Sequence, residues 1–598
     1  MSTPYEAPLD RMRGAIELAL QTAARDAMAA PPERTGDLAE AVLESAGRFA
    51  REVLSPLNRA GDESGSRLTP AGVETTPGFR EAYRRFCEDG WPSIAGPRSF
   101  GGQELPLTIS AAATEIWGGA NLSFAMCPEA AAGAVETLNR HACEALRERY
   151  LPPLVSGAWT AAMALTEPQA GSDLSTVRTM AEPDRGAAGG GDVPASRWRL
   201  RGRKIFISWG DHDLAENIVH LVLARTPDAP AGLRGLSLFL VPKRLPSSSA
   251  DPRPNDVAAV SLEHKMGIRA SPTCAMAYGE RGGALGWLVG PLNAGIECLF
   301  SMMNQMRLGV GLHSTGLAER ALQLALGYAR GRVQGRDDAG AQRPIIQHAD
   351  VRRMLLTMRA LTHGARGLAY AAAATLDVAR AETSKSDETV RARAERRLAL
   401  LTPIVKACCS DIAVEVASLG VQVHGGTGYV NDSEISQIYR DARIGPIFEG
   451  TNYIQAHDLL ARKVLRDGGA ALGEWLSDME RSADGVRGIA ALAPLARGIG
   501  AECGRLREAV ALLNRTGATD RERVGAAAYP FLQWLGVTAL AWQHALAAGA
   551  ALRSGASDAL SRLRIEDATF YAAYVLPRAH AHAMAVASSA DPLIAAEL

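Results

Sequence analysis

A single carboxylate stands in the run Ile444-Gly445-Pro446-Ile447-Phe448-Glu449-Gly450-Thr451-Asn452-Tyr453-Ile454-Gln455, between an aromatic residue and a glycine. Nothing beside it supports a solvated helix face. A carboxylate in apolar company has a raised pKa and takes a proton near neutral pH, which is the property of a general base. Glu449 is therefore the candidate catalytic residue. The competing reading is a structural salt bridge to Arg440 or Arg443, although Asp441 already lies between those two in sequence.

Three further segments have chemistry-bearing residues at close spacing: Leu165-Thr166-Glu167-Pro168-Gln169-Ala170-Gly171-Ser172-Asp173, Lys204-Ile205-Phe206-Ile207-Ser208 and Gln422-Val423-His424-Gly425-Gly426-Thr427-Gly428-Tyr429. Small residues let a ligand approach the backbone, while hydroxyl and amide groups supply hydrogen bonds. Taken singly, each reads first as a turn or a helix C-cap.

The texture of the chain says what must hold these segments. From Asp10 to about Val155 apolar residues recur at helical spacing, as in DLAEAVLESAGRFAREVLSPLN. The turn from Gly90-Trp91-Pro92 to Gly101-Gly102 interrupts that pattern. Beyond Trp159 short β-rich runs take over (WRLRGRKIFIS, NIVHLVLA, LSLFLVP, AMAYGE). Loops over 184–196 and 246–256 divide them and read as solvent-exposed. Long helical patterns return from about Gly295. The charged stretch Ser384 to Arg397 reads as a solvated helix end and turn. Asp467-Gly468-Gly469 reads as a linker to a last helical unit.

The expected fold class is mainly α with a central β-domain. Its segments are an N-terminal extension (1–40), a helical domain (41–158), a middle β-domain (159–290), a helical bundle (291–466) and an appended helical domain (470–598). No βαβ alternation supports a doubly wound sheet. No GxGxxG, Walker-type GxxxxGK[ST], HExxH or GxSxG occurs, so a bound dinucleotide needs another cradle.

Composition narrows the function classes. Basic and acidic residues nearly cancel, 64 against 65, so no single-sign field invites nucleic acid or an anionic membrane. The eight cysteines form no CxxC pair, and adjacent Cys408 and Cys409 read as buried thiols. That usage fits a reducing cytoplasm and no metal site. The N-terminal MSTPYEAPLDRMRGAIE has early acidic residues and no apolar signal core. Ala526 to Leu552 is apolar but carries Gln533, Gln543 and His544, so it reads as a buried bundle helix rather than a membrane span.

In this order and spacing the four segments together resemble the acyl-CoA dehydrogenase family of flavoproteins. The resemblance runs from about Glu44 to Lys463. With Tyr5-Glu6-Ala7-Pro8-Leu9 and the helical C-terminal unit, the chain looks like the long bacterial branch that includes fatty acyl-CoA and 3-methylmercaptopropionyl-CoA dehydrogenases. KIFISWGDHDLAENIVHLVLARTPDAP and EHKMGIRASPTC carry much of that similarity. The resemblance implies a helical N-domain, a β-barrel-like middle domain, a four-helix-bundle C-domain and bound FAD. It implies α,β-desaturation of an acyl-CoA thioester to trans-2-enoyl-CoA, with Glu449 matching the base that removes the α-proton. In the family, the backbone N–H of that Glu also bonds the thioester oxygen, which brings Phe448 and Gly450 into the substrate site.

The remaining roles follow the same resemblance. Leu165, Thr166 and Gly171 match the flavin-lining loop, and Ser172 matches the start of the CoA site. Phe206, Ile207 and Ser208 match the strand along the isoalloxazine ring. Arg332 matches an arginine that reaches the FAD pyrophosphate of a neighbouring subunit. Gln422, Gly425 and Gly426 match the turn that holds the adenine end across a dimer, and Thr451 matches a flavin contact. Asn304 and Arg307 match the segment near CoA, with a plain helix-surface charge as the alternative for Arg307. His424 is assigned no chemistry. The partners implied are an electron-transfer flavoprotein and at least a second copy of the chain.

The sequence also departs from the family pattern. Asn304 stands where shorter relatives carry Asp, and Gly335 replaces an aromatic residue. Trp209 follows the flavin strand in place of a small residue. Met126-Cys127-Pro128-Glu129-Ala130-Ala131-Ala132 is unusual for the branch; Glu129 there reads as an exposed turn carboxylate or as a buried partner for a polar acyl group. Three rivals on the same fold stay open: an oxidase that uses O2, a DNA-binding flavoprotein, and a scaffold that holds FAD without turnover.

Overall fold

The computed structural model describes residues 4–27, 36–184, 197–245, 253–337, 339–381, 388–517, 520–555, 558–588 and 590–597. Contacts group the chain into two units, one of Met1–Arg51, Pro106–Ala120 and Arg307–Leu598, the other of Glu52–Leu105 and Asn121–Met306.

The second unit is built on eight strands: β1 (Trp159–Ala164), β2 (Met180–Pro183), β3 (Arg197–Ser208), β4 (Asn217–Arg225), β5 (Leu236–Pro242), β6 (Val257–Leu262), β7 (Thr273–Tyr278) and β8 (Ala284–Val289). They run β6-β7-β3-β8-β5-β4-β1 across the sheet, with β2 beside β3 and β4. Pairing is antiparallel except between β1 and β4 and at one position between β2 and β4. Hydrophobic residues face both sides of β4 and β5, so the two strands read as continuous apolar runs. Val219, Leu221, Leu238 and Leu240 pack with helical Leu138, Leu151 and Met302 on one face. Ile218, Val222 and Phe239 pack with Trp198 on the other. All four β-runs read from the sequence are strands.

The first unit is helical. Its longest members are Ala349–Arg380, Glu388–His424, Arg521–Ser554 and the part of Gly295–Gly331 that follows Met306. Ala369, Ala372 and Ala373 on one helix and Ala407 and Ala413 on another are fully or almost fully buried, small side chains that let helix axes approach closely. A buried charge network ties the bundle. Arg366 donates to Glu115 at 2.6 Å and to Glu319 at 2.9 Å, and Tyr370 donates to Glu115 at 2.7 Å. Tyr5 is buried and donates to the Ile116 carbonyl at 2.8 Å, so the N-terminal segment is docked.

Arg521–Ser554 is long and apolar enough to cross a membrane, yet 78% of its apolar window is buried inside the protein. Gln543 and His544 are buried within it, and His544 shares a 3.0 Å hydrogen bond with the Ala360 carbonyl. A core helix accounts for the pattern.

Three expectations change. The exposed loops fall largely outside the described residues, over 185–196 and 246–252, but the Asp184 side chain is buried and takes 2.9 Å from Arg199. The charged stretch that begins at Ser384 lies partly outside them too, over 382–387. In its described part Glu388, Arg391, Glu395 and Arg396 are exposed as expected, and Arg397 is the exception: it is buried, pairs with Asp478 and lies over the Trp475 ring. Glu129 is neither in a turn nor exposed; it is half-buried inside the helix Leu122–His141.

Candidate active site

Glu449 lies where the chain turns from Arg443 into the short helix Asn452–His457, and its backbone is left-handed, with φ 56°. A non-glycine residue there is strained by roughly 1–3 kcal/mol and persists only where its surroundings hold it. Gly450 continues the turn at φ 82°, and a Cβ there would meet Gln455 Nε2 at 2.8 Å. Thr451 caps the helix by accepting from Ile454 N–H at 3.3 Å. Glu449 Oε2 is buried and has no hydrogen-bond partner among the described residues. Nor does any described group take the Glu449 N–H.

The electrostatics follow from that position. Burial pushes the Glu449 carboxyl up, Arg307 and Lys406 pull it back, and it settles at about 7. Arg307 is 5% exposed, which rules out the helix-surface alternative. Burial draws its guanidinium below the usual value. Burial likewise brings Lys406 down to about 7, against the pull of Glu449 and Asp411.

Several groups here had not been given roles from sequence. Lys406 Nζ donates to Asn452 Oδ1 at 2.9 Å. Asn452 Nδ2 donates to Asp411 at 2.8 Å, to Ser410 Oγ at 3.1 Å and to the Ala407 carbonyl at 3.2 Å. Asp411 also accepts from Tyr529 at 2.8 Å and from Gln533 at 2.6 Å. The available signal was one lysine and one aspartate set around Cys408 and Cys409 in an apolar helical run. Both thiols are buried, as expected.

Elsewhere in the same unit, Tyr328 stacks on His424 with ring centroids 4.4 Å apart. The stack sets the exposed Arg332 end of one helix beside the exposed Gln422, Gly425 and Gly426 at the end of another. His424 Nδ1 donates to the Gly420 carbonyl at 2.7 Å, a structural role.

In the second unit, the loop Leu165–Ser172 is fastened to β3. Ile205 N–H donates to the Thr166 carbonyl at 2.9 Å, and the buried Lys204 Nζ reaches the Leu165 carbonyl at 2.9 Å and Glu167 at 2.8 Å. Burial alone would raise the Glu167 carboxyl, but Lys204, Thr179 and the Arg178 N–H bring it down to about 2. The end of β3 presents Phe206, 59% exposed and left-handed at φ 59°. Ile207 faces the core, and its carbonyl accepts from the Gly210 N–H at 3.2 Å, so its side chain is turned away from a ligand. Thr166 and Ser208 are half-buried, Gly171 and Ser172 exposed. Asn304 is exposed on its helix.

Comparison with known proteins covers nearly the whole chain. Family models match as "Acyl-CoA dehydrogenase, N-terminal domain" over residues 37–158, "middle domain" over 162–279, "C-terminal domain" over 293–465, and "Acetyl-CoA dehydrogenase C-terminal like" over 475–597. A 3-methylmercaptopropionyl-CoA dehydrogenase of Ruegeria pomeroyi is 43% identical across 99% of this chain and 100% of its own. A broad-specificity linear acyl-CoA dehydrogenase of Mycobacterium tuberculosis is 32% identical across 90% of each. A solved acyl-CoA dehydrogenase of Bacillus anthracis complexed with FAD superposes with a TM-score of 0.75 at 23% identity, covering 95% of this chain and 90% of that one.

Proposed function

The chain belongs to the acyl-CoA dehydrogenase family of FAD-dependent oxidoreductases, and from that premise we propose that it desaturates an acyl-CoA thioester at the α,β bond with Glu449 as the base. The observation that carries this reading is the buried, unpartnered Oε2 of Glu449, on a strained turn, with a carboxyl poised at about 7. A structural carboxylate would hold a partner; this one is free to take a proton.

The residues fit FAD. Phe206 offers an exposed aromatic face on a left-handed backbone, followed by the buried Trp209, whose indole Nε1 has no partner among the described residues. Gly171 and Gly426 stand beside open space where a ligand can approach the backbone. Leu165, Thr166, Gly171, Phe206, Ile207 and Ser208 would hold the ring end. Thr451 would add a contact, and Arg332, Gln422, Gly425 and Gly426 would hold the phosphate and adenine end of a second copy's cofactor. When bound, FAD accepts the hydride that leaves the β-carbon.

Glu449 removes the α-proton onto Oε2, leaving negative charge to gather on the thioester oxygen. The Glu449 N–H donates to that oxygen, which stabilises charge as it develops. Arg307 and Lys406 keep the base ionised near neutral pH despite burial. By the family resemblance, Arg307, Phe448 and Gly450 in the first unit and Ser172 and Asn304 in the second are the residues assigned to substrate binding. The product is the trans-2-enoyl-CoA.

Electrons then pass to an electron-transfer flavoprotein, the chain works in β-oxidation-type chemistry in the cytoplasm, and it acts as a homodimer or larger. Free cysteines throughout the described chain support the reducing compartment. The printed activities of the relatives make 3-methylmercaptopropionyl-CoA and straight-chain acyl-CoAs the first thioesters to test. The experiment is anaerobic addition of those thioesters to the purified holoenzyme while flavin absorbance is followed. Bleaching by one class supports desaturation and names the substrate; flavin that none of them bleaches removes this reading. Reoxidation of the bleached enzyme by air as fast as turnover would favour the oxidase.

A further inference from the structure

We propose that the C-terminal helix Arg521–Ser554 positions the catalytic turn, with Tyr529 and Gln533 acting on Asp411, and Asp411 acting on Asn452. The role assigned to Glu449 rests on the reading above; the mechanical link does not.

The chain of contacts is continuous and local. Asn452 begins the helix that directly follows Glu449-Gly450-Thr451, and its amide is 4% exposed. All its polar capacity is spent on the helix Glu388–His424. Oδ1 receives Lys406, while Nδ2 is shared among Ala407, Ser410 and Asp411. Its own N–H closes the turn onto the Pro446 carbonyl at 3.0 Å. Asn452 thus closes the turn Pro446–Asn452, the seven residues that carry Glu449 at a strained φ. Asp411 orients that amide with one oxygen, and its other oxygen receives both Tyr529 and Gln533. These donors sit four residues apart on one helix, hence on one face. A further contact lies alongside: a Cβ at Gly525 would come within 3.2 Å of the Tyr453 hydroxyl, so the same helix abuts the residue next to Asn452.

Tyr529 and Gln533 touch no reacting atom in this scheme. They are positioning residues, and their loss frees Asp411 to turn away from Asn452. A catalytic group displaced by about 1 Å loses on the order of a hundredfold in rate, and a loosened one loses less.

The test uses the full-length holoenzyme and the double variant Tyr529→Phe/Gln533→Leu, both sites lying at or near the surface. Tyr571→Phe is the control. It removes the 2.9 Å bond to the Val537 carbonyl on the same helix without touching Asp411. Two readouts are taken: the rate of flavin bleaching by the best acyl-CoA from the panel, and amide hydrogen exchange over residues 444–456. The double variant is expected to bleach roughly tenfold more slowly with half-saturation little changed. Its exchange over 444–456 should quicken while exchange in Ala349–Arg380 stays as in the parent. Tyr571→Phe should lower the melting temperature and leave both readouts alone. Restoring Gln533 alone should recover most of the rate.

Unchanged bleaching and unchanged exchange in the double variant overturn the proposal. So does an equal slowing in Tyr571→Phe, which would mean general destabilisation. If no acyl-CoA bleaches the parent enzyme, the function proposed for Glu449 fails, and the exchange arm still decides the mechanical link.

Discussion

At the scale of the residue, Glu449 combines two costs, a left-handed backbone and a buried carboxyl without a partner. Both are expected where a group is kept for reaction rather than for stability. Replacing it by Gln should leave FAD bound and slow bleaching by roughly 10²–10⁴-fold, the usual worth of a general base. The same variant should melt higher than the parent at pH 8. With a folded pKa raised from 4.5 to about 7, the folded state holds a proton that the unfolded state has released, so stability falls as pH rises through that window. Glutamine has no such loss, and the two proteins should converge near pH 4.5. A pH series of thermal melts reads this directly.

The neighbours of Glu449 set where its activity turns on. The bleaching rate should rise with pH through about 7, because the base must be ionised to work. Arg307 and Lys406 both favour the carboxylate; Asp411 faces Lys406, and Asp458 and Arg462 act on Arg307. Lys406→Met removes one of the two cations, so the acid limb of the rate profile should move to higher pH. A limb that stays put would show that Lys406 does not face the base in solution.

At the scale of the element, the β3 strand and the Leu165–Ser172 loop depend on one buried pair. Lys204 and Glu167 are both almost fully hidden, and Glu167 also takes Thr179 Oγ1 at 2.6 Å and the Arg178 N–H at 2.8 Å. Removing one partner of such a pair strands the other, at a cost of about 3–5 kcal/mol. Lys204→Met should therefore lower stability by that order in urea unfolding and release FAD, since the loop and strand lose their common anchor. Glu167→Gln added to it should recover part of the stability, because the stranded charge is gone.

The limits of the sequence show at this same scale. Strand β3 and its neighbours were legible because alternation and continuous apolar runs are local patterns, and Glu449 was legible because its isolation is local as well. Asp184, Arg397 and Glu129 were misjudged because charge in a sequence reads as solvent until a partner appears, and the pattern along the chain does not say where that partner lies. The Arg397 partner Asp478 lies 81 residues away, and Tyr529 reaches Asp411 across 118. Asn452 was overlooked for a different reason, since a buried amide is recognised by the four groups around it and not by its neighbours in the chain.

At the scale of the whole molecule, the first unit leaves an unusual surface where its helix ends meet. Tyr429 is 86% exposed, Val430 49% and Val333 43%, next to the exposed Arg332, Gln422, Gly425 and Gly426. Large apolar side chains grouped with an arginine are what a subunit interface requires, an apolar centre with guanidinium anchors. The homodimer proposed above covers this surface and brings Arg332 to the second copy's cofactor, so assembly and FAD retention should fail together. Tyr429→Asp places a charge where the apolar contact forms and should shift sedimentation velocity from dimer toward monomer. In the same sample, the ratio of flavin to protein should fall after gel filtration. Arg332→Ala separates the two effects: it removes the phosphate contact and leaves the apolar centre, so the dimer should persist while flavin is lost more readily on dilution. A Tyr429→Asp protein that sediments unchanged and keeps its flavin would mean that this surface faces solvent and that the cofactor is held within one chain.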